Sequence, residues 1–147
     1  MDIEPCETTD PALHTLVAAM TAELVAVYGL PPDARPSPLP PRTHYLMGTG
    51  DGVALGCCAV QPEVQGWCLL NRMYVAPPAR GSGLAAALVA AAEDVARRGG
   101  ATGMRLETGL RQPAAMRLYA REGYRRVAAF PPHENDPESV CYQSGQK

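Results

Sequence analysis

Residues 73–100 read MYVAPPARGSGLAAALVAAAEDVARRGG, and no other stretch limits the fold so tightly. An apolar run ends at Pro77 and Pro78, which cannot continue strand pairing. Arg80, Gly81 and Gly83 follow, and an alanine-rich pattern starts at once. Leu84, Leu88, Ala91, Ala92 and Val95 recur at helical spacing, which predicts a helix over 84–98 with an exposed Glu93–Arg97 pair. A strand must therefore pass into a helix through a glycine turn. The first backbone N–H groups of that helix have no partners within it, and its dipole adds positive charge at the same end. With Arg80 beside it, the turn has the makings of an anion site suited to phosphate or pyrophosphate. A tight strand-to-helix turn with no ligand satisfies the same residues. The dinucleotide fingerprint would need a third glycine where Ala86 stands, and a P-loop would need a lysine.

The rest of the chain supplies partners for this unit. Residues 13–28 carry Leu13, Leu16, Val17, Met20, Leu24 and Val27 at helical spacing, with Asp10 as cap and Gly29 as stop. A loop with six prolines follows, LPPDARPSPLPPR. Two apolar runs flank Asp51-Gly52, which predicts a hairpin. The run GWCLLNRMYVAP predicts a third strand and GMRLETGL a fourth. QPAAMRLYAREGY predicts a second crossover helix, with Pro113 in its first turn and Gly123 at its end. YRRVAAF and SVCYQS predict closing strands around the polar loop PPHENDPE. The order is helix, hairpin, strand, helix, strand, helix, two strands, which is mixed α/β packing in one domain, 1–147.

Composition narrows the function. The 147 residues hold enough apolar content, 46%, for a core without disulfides or metal. A net charge of −2 with scattered arginines argues against nucleic acid. Five cysteines, none in a C-x-x-C pair, predict free thiols in a reducing cytoplasm. No signal peptide, membrane span or metal is expected.

RGSGLA matches the R/Q-x-x-G-x-G/A signature of the GCN5-related N-acetyltransferase superfamily, with Arg80, Gly83 and Ala85 at its fixed positions. NRMYVAP resembles the strand before that signature, LETGLRQPAAMRLYAREGY the strand and helix after it, and NDPESVCY the approach to the last strand. The likeness runs over about residues 46–142 and resembles a branch of small bacterial members. It implies an acyl-CoA N-acyltransferase fold: a mixed, mostly antiparallel sheet in which residues 68–75 and 103–108 form splayed parallel strands.

The same resemblance implies site residues. Backbone groups of Met73 and Val75 would bind the pantetheine arm of acetyl-CoA, with Tyr74 turned to the opposite face. Amides across Arg80, Gly81, Ser82, Gly83, Leu84 and Ala85 would hold the pyrophosphate. Gln112 would touch the pantetheine amides. Tyr119 matches the tyrosine that protonates departing coenzyme A, although a buried core tyrosine would look the same in sequence. Placing Arg72 on the family's arginine puts Leu69 where many members carry a glutamate base. Glu107 is the nearest substitute: a base, a group supporting one, or an ion-pair partner of Arg105 or Arg72. His44 and His133 qualify by residue type alone, and Asn135 and Asp136 either line the acceptor mouth or only terminate the loop. Cys68 has no histidine at a telling spacing, so a cysteine acyl-enzyme is not expected.

The implied activity is direct transfer of an acetyl group from acetyl-CoA to a primary amine of a small molecule or peptide. Amides near Val75 would steady the developing oxyanion. The alternative is an acyl-CoA-binding sensor or accessory protein that has lost catalysis, the reading Leu69 favours. The acceptor side falls on residues 13–45, where the resemblance is weakest. A homodimer is possible on general grounds.

Overall fold

The computed structural model describes residues 1–144. The element order is β1 (Asp2–Cys6), α1 (Pro11–Tyr28), β2 (His44–Gly50), β3 (Val53–Val60), β4 (Trp67–Val75), α2 (Leu84–Arg98), β5 (Gly103–Gly109), α3 (Pro113–Arg121), β6 (Tyr124–Val127) and β7 (Ser139–Ser144). Seven strands form one sheet in the order β1-β2-β3-β4-β5-β7-β6. Every pairing is antiparallel except β4 with β5. This is the mixed, mostly antiparallel sheet that the resemblance implied.

Local chemistry sets the boundaries. The Asp10 carboxylate accepts from Ala12 N–H at 2.8 Å and caps α1, and Gly29 closes that helix with φ 65°. The β2–β3 hairpin turns on Asp51 and Gly52, both at positive φ (51° and 76°), as a two-residue hairpin requires. The sequence reading missed β1. Its five residues, Asp2, Ile3, Glu4, Pro5 and Cys6, show no apolar alternation, and pairing with β2 rather than propensity makes them a strand. Strand β6 stops at Val127, three residues before the expected end.

Side-chain alternation along the strands divides the core into two clusters. Cys57 and Tyr74 pack with Leu13 and Leu16 of α1. Cys58, next to Cys57, and Leu70, which the β4 irregularity at Arg72 turns to the face opposite Tyr74, pack with Leu84, Leu88, Val89 and Ala92 of α2 and with Leu118 and Tyr119 of α3. Gly48 and Gly56 leave room for Leu84, since a Cβ at either would press on that side chain. The first residue of α2 is thereby seated on β2 and β3, which fixes the helix start at the end of β4. Burying leucines such as Leu84 and Leu88 stabilises the packing by about 2 kcal/mol each.

Helix α1 is long and apolar enough by composition to cross a membrane. Here one face docks on the sheet, and its Glu23 is bonded to Arg80 and Tyr74. The expected Glu93–Arg97 pair does not form. Glu93 instead accepts from the Tyr124 hydroxyl at 2.9 Å, and Arg97 pairs with Asp94. A buried phenol has more to gain from that carboxylate than an exposed guanidinium has.

Candidate active site

Strands β4 and β5 pair only through Trp67–Gly103, Cys68–Met104 and Leu69–Arg105. Beyond Leu69 they part, and a cavity of about 660 Å³ fills the gap. Leu70, Arg72 and Met73 line it from β4, Glu107 and Thr108 from β5, and Tyr119 from α3. The site has a physical origin in β4. Arg72 stands at φ 56°, and the β3–β4 register slips between Cys57 and Ala59. Such a bulge bends a strand and re-aims its side chains.

The same register aims backbone donors. Ala76 N–H donates to Leu55 O at 2.8 Å, and Cys57 and Gly56 stand opposite Tyr74 and Val75. Antiparallel hydrogen bonding alternates along a strand. The Val75 amide therefore points away from β3, toward the gap. Tyr74 packs with the α1 cluster, the face expected for it.

At the α2 start, Gly81 and Gly83 have φ of 81° and 90°, and a Cβ on either would meet nothing within 4 Å. These glycines serve backbone conformation, not clearance. Helical geometry leaves the N–H groups of Leu84, Ala85 and Ala86 without helical acceptors, and Ala87 N–H is the first to close a turn, onto Gly83 O at 3.1 Å. Two of the six amides named from the resemblance are already engaged. Arg80 N–H donates to Pro77 O and Ser82 N–H to Ala79 O, each at 3.2 Å, because a 3₁₀ turn over Pro77–Ala79 precedes the glycines. Leu84 N–H also has a weak acceptor in Ser82 Oγ at 3.4 Å. The Arg80 guanidinium is engaged too: Nε donates to Val75 O at 2.9 Å, and one terminal nitrogen bonds both Glu23 oxygens at 2.8 Å. Sequence reading missed Glu23, whose partners Tyr74 and Arg80 lie 51 and 57 positions away.

Tyr119 is buried, edge-on to Tyr124 and near Tyr142, and its hydroxyl has no hydrogen-bond partner among the described residues. Burial, with a smaller contribution from Cys58, raises its pKa, so the phenol stays protonated at neutral pH. Glu107 shares the cavity with it and accepts from Ser139 Oγ at 2.7 Å. It pairs with neither Arg105, which reaches Gln143, nor Arg72, which donates to Ser37 O. Gln112 lines the cavity and donates from Nε2 to the Tyr28 hydroxyl at 3.3 Å. Asp136 also lines it, while His44, His133 and Leu69 do not. His133 packs edge-on against Phe130. Cys68 is buried, and burial raises its pKa, which disfavours a nucleophilic thiolate. Among the described residues, no group of three or more His, Cys, Asp or Glu is placed to hold a metal.

Comparison with known proteins agrees with this geometry. The chain is 33% identical over 101 residues to an IAA acetyltransferase of Azospirillum brasilense, covering 68% of this chain and 66% of that one. It is 31% identical over 93 residues to an aminoalkylphosphonate N-acetyltransferase of Salmonella typhimurium, covering 60% of each. The chain thus spans slightly less than two thirds of the length of these curated relatives. A solved structure from Klebsiella pneumoniae, of a candidate acyl-CoA N-acyltransferase, superposes with a TM-score of 0.86 at 34% identity, covering 99% of this chain and 97% of that one. The family model for the acetyltransferase (GNAT) family matches residues 10–124, and the chain belongs to that family.

Proposed function

We propose that this protein moves the acetyl group of acetyl-CoA directly to a primary amine of a small molecule or peptide. The observation that carries this reading is the cavity between the parted strands, with Tyr119 and Glu107 in its wall. The α2 start fits a pyrophosphate by its own chemistry. The amides of Gly81, Gly83, Ala85 and Ala86 have no acceptor among the described residues, and the space over both glycines is open. The names of the Klebsiella and Salmonella relatives support acyl-CoA as donor and an amine as acceptor.

Acetyl-CoA supplies a thioester carbonyl, and the chain's residues do the rest. Met73 and Val75 offer backbone groups to the pantetheine arm, and Gln112 offers its side-chain amide. Val75 N–H donates to the carbonyl oxygen as negative charge grows there. Glu107 takes a proton from the amine as its nitrogen bonds to the carbonyl carbon. Tyr119 gives its phenolic proton to sulfur as the carbon–sulfur bond breaks, and solvent carries the proton from Glu107 back to it. Burial opposes a phenolate, and it opposes a thiolate enclosed in the same cavity in the same direction.

Release of free coenzyme A, corrected for hydrolysis, across a panel of amines tests the reading. Turnover with at least one amine is expected, together with a drop in kcat of about 10²-fold in Tyr119→Phe. Tight acetyl-CoA binding without turnover on a broad panel would instead make the protein an acyl-CoA sensor, the reading that an apolar Leu69 favours.

A further inference from the structure

A second cavity, about 610 Å³, lies between α1 and the proline-rich loop, and it meets the first. Thr21, Ala34, Arg35, Pro36 and Arg72 line both. Its other walls are mostly apolar, including Leu13, Val17 and Val25. The wall shared by the two cavities therefore carries two guanidinium groups. Neither has a carboxylate partner among the described residues: Arg72 donates to Ser37 O, and Arg35 reaches only the carbonyls of Asp33 and Ala34, at 3.3 and 3.5 Å. Arg72 is half-buried, and the bulge at φ 56° sets its side chain there. Arg35 is exposed, and a half-buried guanidinium such as Arg72 gains most from an anion that a ligand brings beside it. Desolvation also lowers the Arg72 pKa, which reflects the partial burial of its guanidinium.

The opposite wall has the complementary sign. Glu107, Asp136 and Glu138 line the first cavity from the β5–β7 side. Arg111 lies among them but is held by Glu138 at 3.2 Å and sits over the Tyr28 ring. The transfer site therefore has carboxylates on one side and unpaired guanidiniums on the other.

We propose that the acceptor is a small zwitterion, an amine that also bears a carboxylate or phosphonate, with its acid group held by Arg72 and Arg35 and its amine turned to Glu107. This rests on the N-acetyltransferase reading and names the substrate class of that site. Arginine suits the task because its planar fork can take two oxygens of one acid group. The apolar annex behind Arg72 accommodates a hydrocarbon side chain on the same molecule.

Matched probes test the proposal: L-leucine against 3-methylbutylamine, and aminomethylphosphonate against methylamine. With saturating acetyl-CoA, the acid-bearing member of at least one pair should have the higher kcat/KM by about 10- to 100-fold. Which pair shows the gap separates carboxylate from phosphonate. In Arg72→Gln and Arg35→Gln the gap should shrink toward unity through KM, while the KM for acetyl-CoA holds. Equal or better turnover of the acid-free amines, or an unchanged gap in both variants, would overturn the proposal. Calorimetric titration of the same four probes into the enzyme–coenzyme A complex gives a readout that does not need turnover. Selective binding of the acids without turnover would sink the transferase reading and leave the anion site standing. No preference in binding or turnover would sink the anion site alone.

Discussion

Arg80, the first residue of the glycine signature, is bonded through its side chain to Glu23 on α1, 57 positions earlier, with both carboxylate oxygens at 2.8 Å. Tyr74 joins them, donating its hydroxyl to Glu23 Oε2 at 2.7 Å. The contact ties the helix proposed to wall the acceptor side to the turn proposed to hold pyrophosphate. Burial raises the pKa of Glu23, but the hydrogen bonds from Tyr74 and Arg80 outweigh it and the net shift is downward. A depressed folded pKa contributes stability that is present above the unfolded value of about 4.3 and lost as pH falls through the folded value. Glu23→Gln should cost about 1 kcal/mol at neutral pH, because both side chains of the ion pair are partly exposed. Urea unfolding at a series of pH values checks this. The gap to wild type should close below the carboxylate range, and a gap independent of pH would assign the loss to packing.

Gly83→Ala isolates the backbone role of the signature. The position has φ 90° with open space around it. The substitution should therefore destabilise by about 1–2 kcal/mol through conformation alone. Moving this residue out of its left-handed conformation would also re-aim the α2 N–H groups, so the KM for acetyl-CoA should rise. Thermal unfolding and kinetics together check it. An unchanged KM with the stability loss would place the pyrophosphate elsewhere.

Much of the fold was legible because short-range signals decided it: the Asp51-Gly52 turn, the Asp10 cap and the bounds of α2 are where sequence put them, although the buried face of α2 takes in Val89 and Ala96 and leaves Ala91 and Val95 half-buried. What stayed hidden depends on pairs distant in sequence. Strand β1 exists because β2 lies beside it, and Glu23 matters because Arg80 and Tyr74 reach it. The bulge at Arg72 leaves no mark either, since a positive φ at a non-glycine residue is set by the surrounding sheet. The 3₁₀ turn that engages the Arg80 and Ser82 amides, two of the six named for pyrophosphate, was not legible in the sequence either.

Gly109 gives a test of how α1 closes the first cavity. A Cβ there would collide with the Tyr28 hydroxyl, which sits beside Gln112. Gly109→Ala should expel the Tyr28 ring and lower kcat/KM for the amine by about 10-fold or more, the scale of a misplaced active-site group. Tyr28→Ala should also reduce activity by opening the site. The double variant should be no worse than Tyr28→Ala, since the clash is then absent. Additive losses would show that Gly109 acts through something other than Tyr28.

The five free thiols differ sharply in exposure. Burial raises the pKa of Cys57 to about 12 and that of Cys58 further. Cys68 and Cys141 are also buried, and only Cys6 is half-exposed. Native labelling with iodoacetamide near pH 8 should therefore mark Cys6 first, leaving the other four for the denatured chain. Peptide mapping by mass spectrometry reads the order. Fast labelling at Cys68 would reopen a cysteine role in transfer.

Tyr119→Phe separates chemistry from folding. The lost hydroxyl has no hydrogen-bond partner among the described residues, while the ring keeps its contacts with Tyr124 and Tyr142. At neutral pH the stability should shift by less than about 1 kcal/mol, against the large fall in kcat expected for a proton donor. Alkaline pH sharpens the contrast. Burial, then Cys58, raises the folded pKa of Tyr119, so the folded chain holds this proton more tightly than the unfolded chain. That contribution is complete below the unfolded tyrosine value of about 10 and fades as pH rises past it. Wild type should therefore lose stability relative to Tyr119→Phe above about pH 10. Parallel curves there, with kcat unchanged at neutral pH, would remove Tyr119 from the transfer step and leave it a core residue.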